Sequence, residues 1–274
     1  MTIQFPQDTT DCTKAEMKIL EFIGNHTEAF LFMTIGQLAE ELGVSDATVS
    51  RFARHVGCQD FKQLKQLVME QTMAEGPAVK MAGTLLQEER FSLPDWLERQ
   101  QVYLRKTMED LDIESFFQAV EAVTKARSVF IHGKNASAPL ASLLFFRLRR
   151  LGILVQLIPS GGSEVLEGLA QAGTGDLVIM FSFSKVSKEG QMILEHSREA
   201  GYQTLAFTGR RYGPAEEQAD LNLFIYRGEE QEYHSMTAAT AVLDGLVVAV
   251  TESLGVQSAE KLSQIRKLKK KYME

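Results

Sequence analysis

The chain has 274 residues, 45% of them hydrophobic, and its 29 basic and 36 acidic side chains leave a net charge of −7, so it has apolar sequence for two buried cores. Two cysteines, Cys12 and Cys58, give neither a disulfide framework nor metal-ligand spacing, which points to a reducing compartment and to no metal. No apolar run reads as membrane-spanning and MTIQFPQDTTDC lacks the basic-then-apolar order of a signal peptide, so a cytoplasmic protein without a membrane partner is expected.

Residues 13–30 read as one amphipathic helix or two, with Ala15, Ile19, Phe22 and Ile23 as the buried stripe. The next stretch, TIGQLAEELGVSDATVSRFARHVG over 34–57, spells a helix-turn-helix. Thr34 can cap a first helix carrying Ile35, Leu38, Ala39 and Leu42, and Gly43 stands where that helix must end in a left-handed turn. Val44 fills the corner, and Ser45 caps a second helix with Val49, Phe52, Ala53 and Val56 on one face. Such a pair sets the start of its second helix against base edges in the major groove of double-stranded DNA. The candidates are Ser45, Asp46, Ala47, Thr48, Ser50 and Arg51, with Arg54, Lys62 and Lys65 as phosphate neutralisers. An ordinary helical hairpin would explain the Leu-Ala-Leu pattern but not the cap, glycine, corner valine and polar tip together.

Residues 1–75 hold six basic and eleven acidic side chains, net −5, whereas 45–69 hold four basic and two acidic. Positive potential is thus confined to the groove-facing side, and binding is expected to need two copies. After a further helix through Phe61, Leu64, Leu67 and Val68, residues 76–94 contain Gly76, Pro77, Gly83 and Pro94. They are expected to link a helix-turn-helix domain over 1–75 to a second domain over 95–274. Helical spacing resumes over 95–125.

From Ser128 short apolar runs alternate with helical segments. Val129–His132, Val155–Ile158, Leu177–Phe181, Thr204–Phe207 and Leu221–Tyr226 read as strands, with helices near 138–151, 163–171, 188–200 and 235–254. The expected second domain is a three-layer α/β unit with a five-stranded parallel sheet, behind an all-α first domain. Ligands of such sheets collect at the carboxyl ends of the strands, here the loops Gly133-Lys134-Asn135-Ala136-Ser137 and Ser182-Phe183-Ser184-Lys185-Val186-Ser187. Hydroxyls gathered at a helix N-terminus make a phosphate cradle, although any one serine could be a mere cap or turn former. The candidate ligand set is Gly133, Asn135, Ser137, Ser182, Ser184, Lys185 and Ser187. His132 reads as a packed histidine, Glu229–His234 as a surface acidic loop, and the basic tail AEKLSQIRKLKKKYME as a partner contact, a DNA-phosphate contact or a solvated end.

The VSDATVSRFARHVG segment, the strand–GKNAS–helix unit, the GDLVIMFSFSKVS segment and Asp244 in the final helix together resemble the RpiR family of bacterial transcriptional regulators. In that family a helix-turn-helix precedes a sugar isomerase (SIS) domain that senses a phosphosugar. The resemblance implies a regulator of sugar or amino-sugar metabolism, with double-stranded DNA and a phosphorylated sugar effector as partners, no catalytic residues and no cofactor. It runs from about Thr13 to Leu254, with departures. The family's loops usually read G-x-G-x-S and S-x-S-G-x-T, where this chain has Asn135, Lys185 and Ser187. Met236 stands where the last helix often has arginine, so a cation is lost there and one gained at Lys185. Two other readings are a phosphosugar isomerase using Glu229, Glu230, Glu232 or His234 as base, and a DNA-binding protein whose SIS domain is a ligand-free dimer platform. A homodimer or homotetramer is expected, joined through Ala238, Ala241, Val242, Leu246, Val247 and Val250.

Overall fold

Local signals at Thr13, Thr34 and Ser45 start three of the helices in the computed structural model, which describes residues 3–72, 76–86 and 91–273. Thr13 and Thr34 open α1 (Lys14–Asn25) and α3 (Ile35–Leu42) as full capping boxes with Glu16 and Gln37. Between them lies α2 (Thr27–Phe32). Gly43 ends α3 at φ 63°, and Ser45 starts α4 (Asp46–His55) by accepting the Thr48 N–H at 3.2 Å. α5 (Phe61–Thr72) completes the bundle, whose core holds Ile19, Ile23, Phe30, Leu38, Val49, Phe52, Leu64 and Val68.

The expected linker over 76–94 carries a helix, α6 (Pro77–Leu86). Pro77 is harmless at its first position, and Val79 and Ala82 are buried in the bundle core. Gly83 is a packing residue, since a Cβ there would collide with the carbonyl of Gln231. Lys80 Nζ donates to His234 Nδ1 at 3.1 Å, and the Tyr233 N–H donates to Thr84 Oγ1 at 2.6 Å. The segment Gly228–Ser235 therefore belongs to the helical unit with Met1–Glu98, while Arg99–Arg227 and Met236–Glu274 form the second unit. Glu232, expected on a surface loop, is buried and accepts the Glu229 N–H at 3.0 Å.

The helix α7 (Leu93–Asp110) precedes the α/β elements. These are α8 (Ile113–Lys125), β1 (Val129–His132), α9 (Ala138–Arg150), β2 (Val155–Ile158), α10 (Glu164–Leu169), β3 (Leu177–Ser182), α11 (Lys188–Ala200), β4 (Gln203–Thr208), β5 (Leu221–Phe224), α12 (Thr237–Leu254) and α13 (Val256–Tyr272). All strand pairs are parallel, in the order β2-β1-β3-β4-β5. Alternate strand residues serve the two faces. Val129, Ile131, Ile179, Leu205 and Leu223 join a core with α8, α9 and α12, while Phe130, Val178, Met180 and Ala206 pack with Val165, Leu169, Ile193 and Leu194 of α10 and α11.

By length and composition α12 could cross a membrane, contrary to the sequence expectation. Five of its residues, Ala238, Ala239, Leu243, Leu246 and Val250, are buried in the first of these cores. Of the six residues expected at a protomer interface, Ala238, Leu246 and Val250 are thus already used within the chain, while Ala241 is exposed and Val242 and Val247 are half-buried. Of α13, only Ser258 is buried.

At the start of β3 the buried Asp176 accepts Arg127 Nε at 2.9 Å, Arg127 Nη2 at 2.6 Å and the Gly173 N–H at 2.9 Å. Burial alone would raise its pKa, but these donors hold it below the ordinary 3.8. A lowered carboxylate stabilises the fold above its unfolded pKa and loses that contribution as pH falls through the folded value. Asp176→Asn is expected to lower the unfolding free energy by about 1–3 kcal/mol at pH 7. In urea titrations the gap between the parent and the variant should narrow as pH drops below about 4.

Candidate functional site

The tip of α4 presents small and polar groups outward because its apolar residues are spent on the bundle core. Ser45, Asp46, Ala47, Arg51 and Arg54 are exposed, and Thr48 and Ser50 are half-buried. Ser45 Oγ and Thr48 Oγ1 lie 2.9 Å apart, Arg51 Nη2 donates to Thr48 Oγ1 at 3.3 Å, and Arg54 Nε donates to the Ser50 carbonyl at 3.3 Å. These seven candidates thus share one solvent-facing surface. Lys65 does not join them. It is 8% exposed, its Nζ donates to the Met33 carbonyl at 2.9 Å, and burial pushes its pKa down to about 8. Its charge braces α2 against α5 and is unavailable to a phosphate. Nearby, Cys12, Glu16 and His55 come within 4.8 Å of one another by their ligand-type atoms, a proximity the cysteine spacing does not reveal. Glu16 is already committed to Thr13 and to His55 Nδ1 at 3.1 Å.

In the α/β unit, β1 lies between β2 and β3, so the chain winds away in opposite directions from β1 and β3 and leaves a crevice at their carboxyl ends. Both candidate loops open there. In the first, Gly133 is buried, and a Cβ would come 2.7 Å from the Ser137 carbonyl and 2.9 Å from Ala141 Cβ. Asn135 has φ 52°, the one positive φ outside glycine among the described residues. Asparagine therefore preserves the left-handed turn that the family usually gives to glycine. Ser137, half-buried, ends a single 3-10 turn and makes no capping hydrogen bond to α9.

The second loop is pinned at two points. Phe183 is buried in the core on the α12 side of the sheet and Val186 in the core on the α11 side. Between and beside them Ser182 and Ser187 are half-buried, and Ser184 and Lys185 are exposed. Ser187 caps α11 by accepting the Gly190 N–H at 3.2 Å. A Cβ at Gly190 would press on Val186 at 2.8 Å, so the absent side chain lets the loop sit close to the helix.

Four charged or ionisable residues at this edge are not in the candidate ligand set drawn from the sequence. Lys134 Nζ donates to Glu189 Oε1 at 2.6 Å, joining the first loop to the first turn of α11. Gly161, after β2, faces the same carboxylate, at 3.8 Å from a Cβ to Oε1. His132 is 3% exposed with neither ring nitrogen hydrogen-bonded, and burial lowers its pKa, so it is neutral as well as packed. Arg227, also buried, lies 4.1 Å over the Phe183 ring, with Nη1 3.6 Å from Met236 Sδ, and burial pushes its pKa down to about 10. A guanidinium thus sits against the Met236 side chain, where the family pattern has arginine. Glu189 was legible as an acid in a helix's first turn; Arg227 had no local sequence signal. A cleft of about 460 Å³ at the opposite ends of the strands, lined by Glu121, Lys125 and Gln203 among others, has neither loop hydroxyls nor a free buried carboxylate, since Asp176 is bonded to Arg127.

Two family models match. Residues 2–75 match the helix-turn-helix domain of the rpiR family, and residues 122–249 match the SIS domain. The chain thus joins a helix-turn-helix of the rpiR family to a SIS domain. Its architecture is that of a sugar-phosphate-responsive transcription regulator, with a DNA-binding helix-turn-helix and a phosphosugar-binding SIS domain. Among solved structures it resembles the NanR protein of Vibrio vulnificus complexed with ManNAc-6P, at 20% identity over 94% of each chain with a TM-score of 0.58. It also resembles the sugar isomerase domain of an RpiR transcription factor from Sphaerobacter thermophilus, at 25% identity over 64% of this chain and 98% of that one, TM-score 0.59. A Listeria monocytogenes protein described as a candidate sugar-phosphate isomerase shares the fold at 14% identity, over 64% of this chain and 98% of that one, TM-score 0.52.

Because Gly133 has no room for a Cβ, Gly133→Ala must displace the first loop. The variant is expected to lose about 1–3 kcal/mol of stability, read as a lower urea midpoint. An unchanged midpoint would show that the loop can shift at no cost.

Proposed function

We propose that this protein is a regulator without catalytic activity that reads double-stranded DNA through α4 and is switched by a phosphosugar at the loops after β1 and β3. Ser45, Asp46, Ala47, Thr48, Ser50 and Arg51 are assigned to the major groove, and Arg54 and Lys62 to phosphates. Gly133, Asn135, Ser137, Ser182, Ser184, Lys185 and Ser187 are assigned to the effector, with Lys185 as its exposed cation. DNA reading falls to the helical unit, whose helix-turn-helix lies within residues 1–75, and sensing to the part of 95–274 that forms the α/β unit. One observation carries the reading: a capped, outward-facing recognition helix and two hydroxyl-bearing loops at a sheet switch point occur in one chain. The ManNAc-6P bound by the Vibrio NanR protein supports a phosphorylated amino sugar as the effector class.

The regulator reading is favoured over an isomerase by the state of the only acidic cluster offered as a base. Aldose–ketose exchange needs a general base free to move a proton between C1 and C2. Glu232 instead holds the Glu229 N–H, and His234 is bonded to Lys80 and to the Glu229 carbonyl.

Arg51→Ala tests the groove assignment. A bidentate base contact is worth about 1–3 kcal/mol and a symmetric dimer loses it twice, so operator affinity in a gel-shift titration at matched salt should fall by at least tenfold. Equal affinity would put another residue in the groove.

Assembly follows from charge. A domain with few cations gains phosphate contacts by pairing, and the α12 face carrying Ala241, Gly245 and Val248 is exposed, with Asp244 and Glu252 as its charged members. The proposed occupant of that face is a second copy of the chain, giving a homodimer or a dimer of dimers. Light scattering of the full chain at micromolar concentration should give at least twice the 30.6 kDa chain mass; a monomer mass would remove the proposal.

A further inference from the structure

The anion position of the second loop already holds a carboxylate. Glu189 is the second residue of α11, a 13-residue helix capped by Ser187. Its side chain turns back on the helix start. Oε1 takes the Lys134 ammonium at 2.6 Å, and the residue's own backbone N–H and the Ser187 hydroxyl stand near enough to favour its charged form. The Lys134 bond first, and the backbone N–H next, push its pKa down to about 2, so it is charged at every working pH. The other oxygen, Oε2, is buried with no hydrogen-bond partner. Beside this group stands His132, 3% exposed, whose ring feels the Glu189 charge and makes only loose backbone contacts, to Pro159 and Ile158. Two buried acceptor or donor positions, Oε2 and the imidazole, thus lie unspent next to an ammonium, a hydroxyl and a helix N-terminus.

That donor set suits a phosphate monoester better than a carboxylate. A dianion carries twice the charge and three terminal oxygens against two, so it can use an ammonium, a hydroxyl and helix N–H groups at once. Glu189 and a phosphate cannot share the position, because like charges repel strongly where water is scarce. We infer that Glu189 is an internal occupant of the phosphate cradle, and that the effector's phosphate displaces it from Lys134, Ser187 and the first turn of α11. The Lys134–Glu189 ion pair is then the empty state of the sensor, and breaking it is the first event of sensing. The displaced carboxylate regains hydration, Lys134 keeps an anionic partner throughout, and the free protein is held closed to weak or singly charged anions. This rests on the loops after β1 and β3 being the phosphosugar site.

Self-occupancy lowers apparent affinity by the fraction of molecules whose cradle is open. Calorimetric titration of the full chain with inorganic phosphate and with ManNAc-6P tests it. Glu189→Gln, which keeps the shape but removes the charge, should bind both probes about tenfold more tightly than the parent. Lys134→Met removes the occupant's partner and the incoming cation together, and should bind both more weakly than the parent. Ser184→Ala should weaken binding in the parent and in Glu189→Gln alike. Binding by Glu189→Gln that is equal to or weaker than the parent's, while Ser184→Ala still weakens the parent, would overturn the displacement and leave the site in place. Phosphosugar binding that Ser184→Ala does not touch, or no binding by the parent and Glu189→Gln, would overturn the site itself and the displacement with it.

Discussion

Two apolar side chains, Phe183 and Val186, hold the loop after β3 from opposite faces of the sheet, and the polar geometry of the sensing edge follows from that arrangement. With both anchors buried, the intervening chain has little freedom, so Ser182, Ser184, Lys185 and Ser187 are left at the surface. Gly190 lets the helix approach, Ser187 becomes its cap, and Glu189 is placed where it meets Lys134 from the neighbouring loop. Arg227 stacks on the Phe183 ring, so even the buried cation of this edge is located by the same anchor.

Charge in this molecule works locally. A chain of net −7 repels DNA and anionic sugars at a distance, so recognition depends on where individual cations stand rather than on the overall field. Many of them stand beside acids. Lys134 lies against Glu189, Arg127 against Asp176, Arg210 against Glu217 and Arg211 against Asp110. By contrast, Arg51 and Arg54 on the recognition helix are hydrogen-bonded only to neutral oxygens of that helix. The two proposed sites therefore differ in kind, one with cations ready for a polyanion and one where Lys134 already has a carboxylate partner beside the exposed Lys185.

What could be read from the sequence was what neighbouring residues decide together. Thr34, Gly43 and Ser45 act over three or four residues, and the helix-turn-helix follows from them. The alternation of apolar runs pointed to the parallel sheet in the same way, whereas the left-handed turn at Asn135 has no such local signal beyond standing where the family usually has glycine. Where partners lie far apart in the chain, the sequence misleads. Lys134 and Glu189 are 55 positions apart, and neither carries a sign of the other. Lys65 looks like a surface cation until Met33, 32 residues earlier, takes its ammonium. Pro77 and Gly83 looked like breaks in a linker, yet one opens a helix and the other makes room for Gln231. Glu229–His234 is rich in acids and reads as a surface loop from the sequence alone, because its partner α6 lies about 150 residues away, as Lys80 and His234 show at a separation of 154.

That last segment has a consequence for how the chain is made. The helical unit is drawn from Met1–Glu98 and from Gly228–Ser235, so a ribosome that has released the first hundred residues has not yet supplied all of it. Gly83 and Thr84 wait on Gln231 and Tyr233, which emerge only after the last strand of the sheet. During synthesis the DNA-reading half can form its bundle core early, but α6 gains its covering only once β5 has left the exit tunnel. A nascent or truncated chain that stops short of Ser235 therefore carries a recognition helix without its finished unit, and completion of the reader is tied to completion of the sensor.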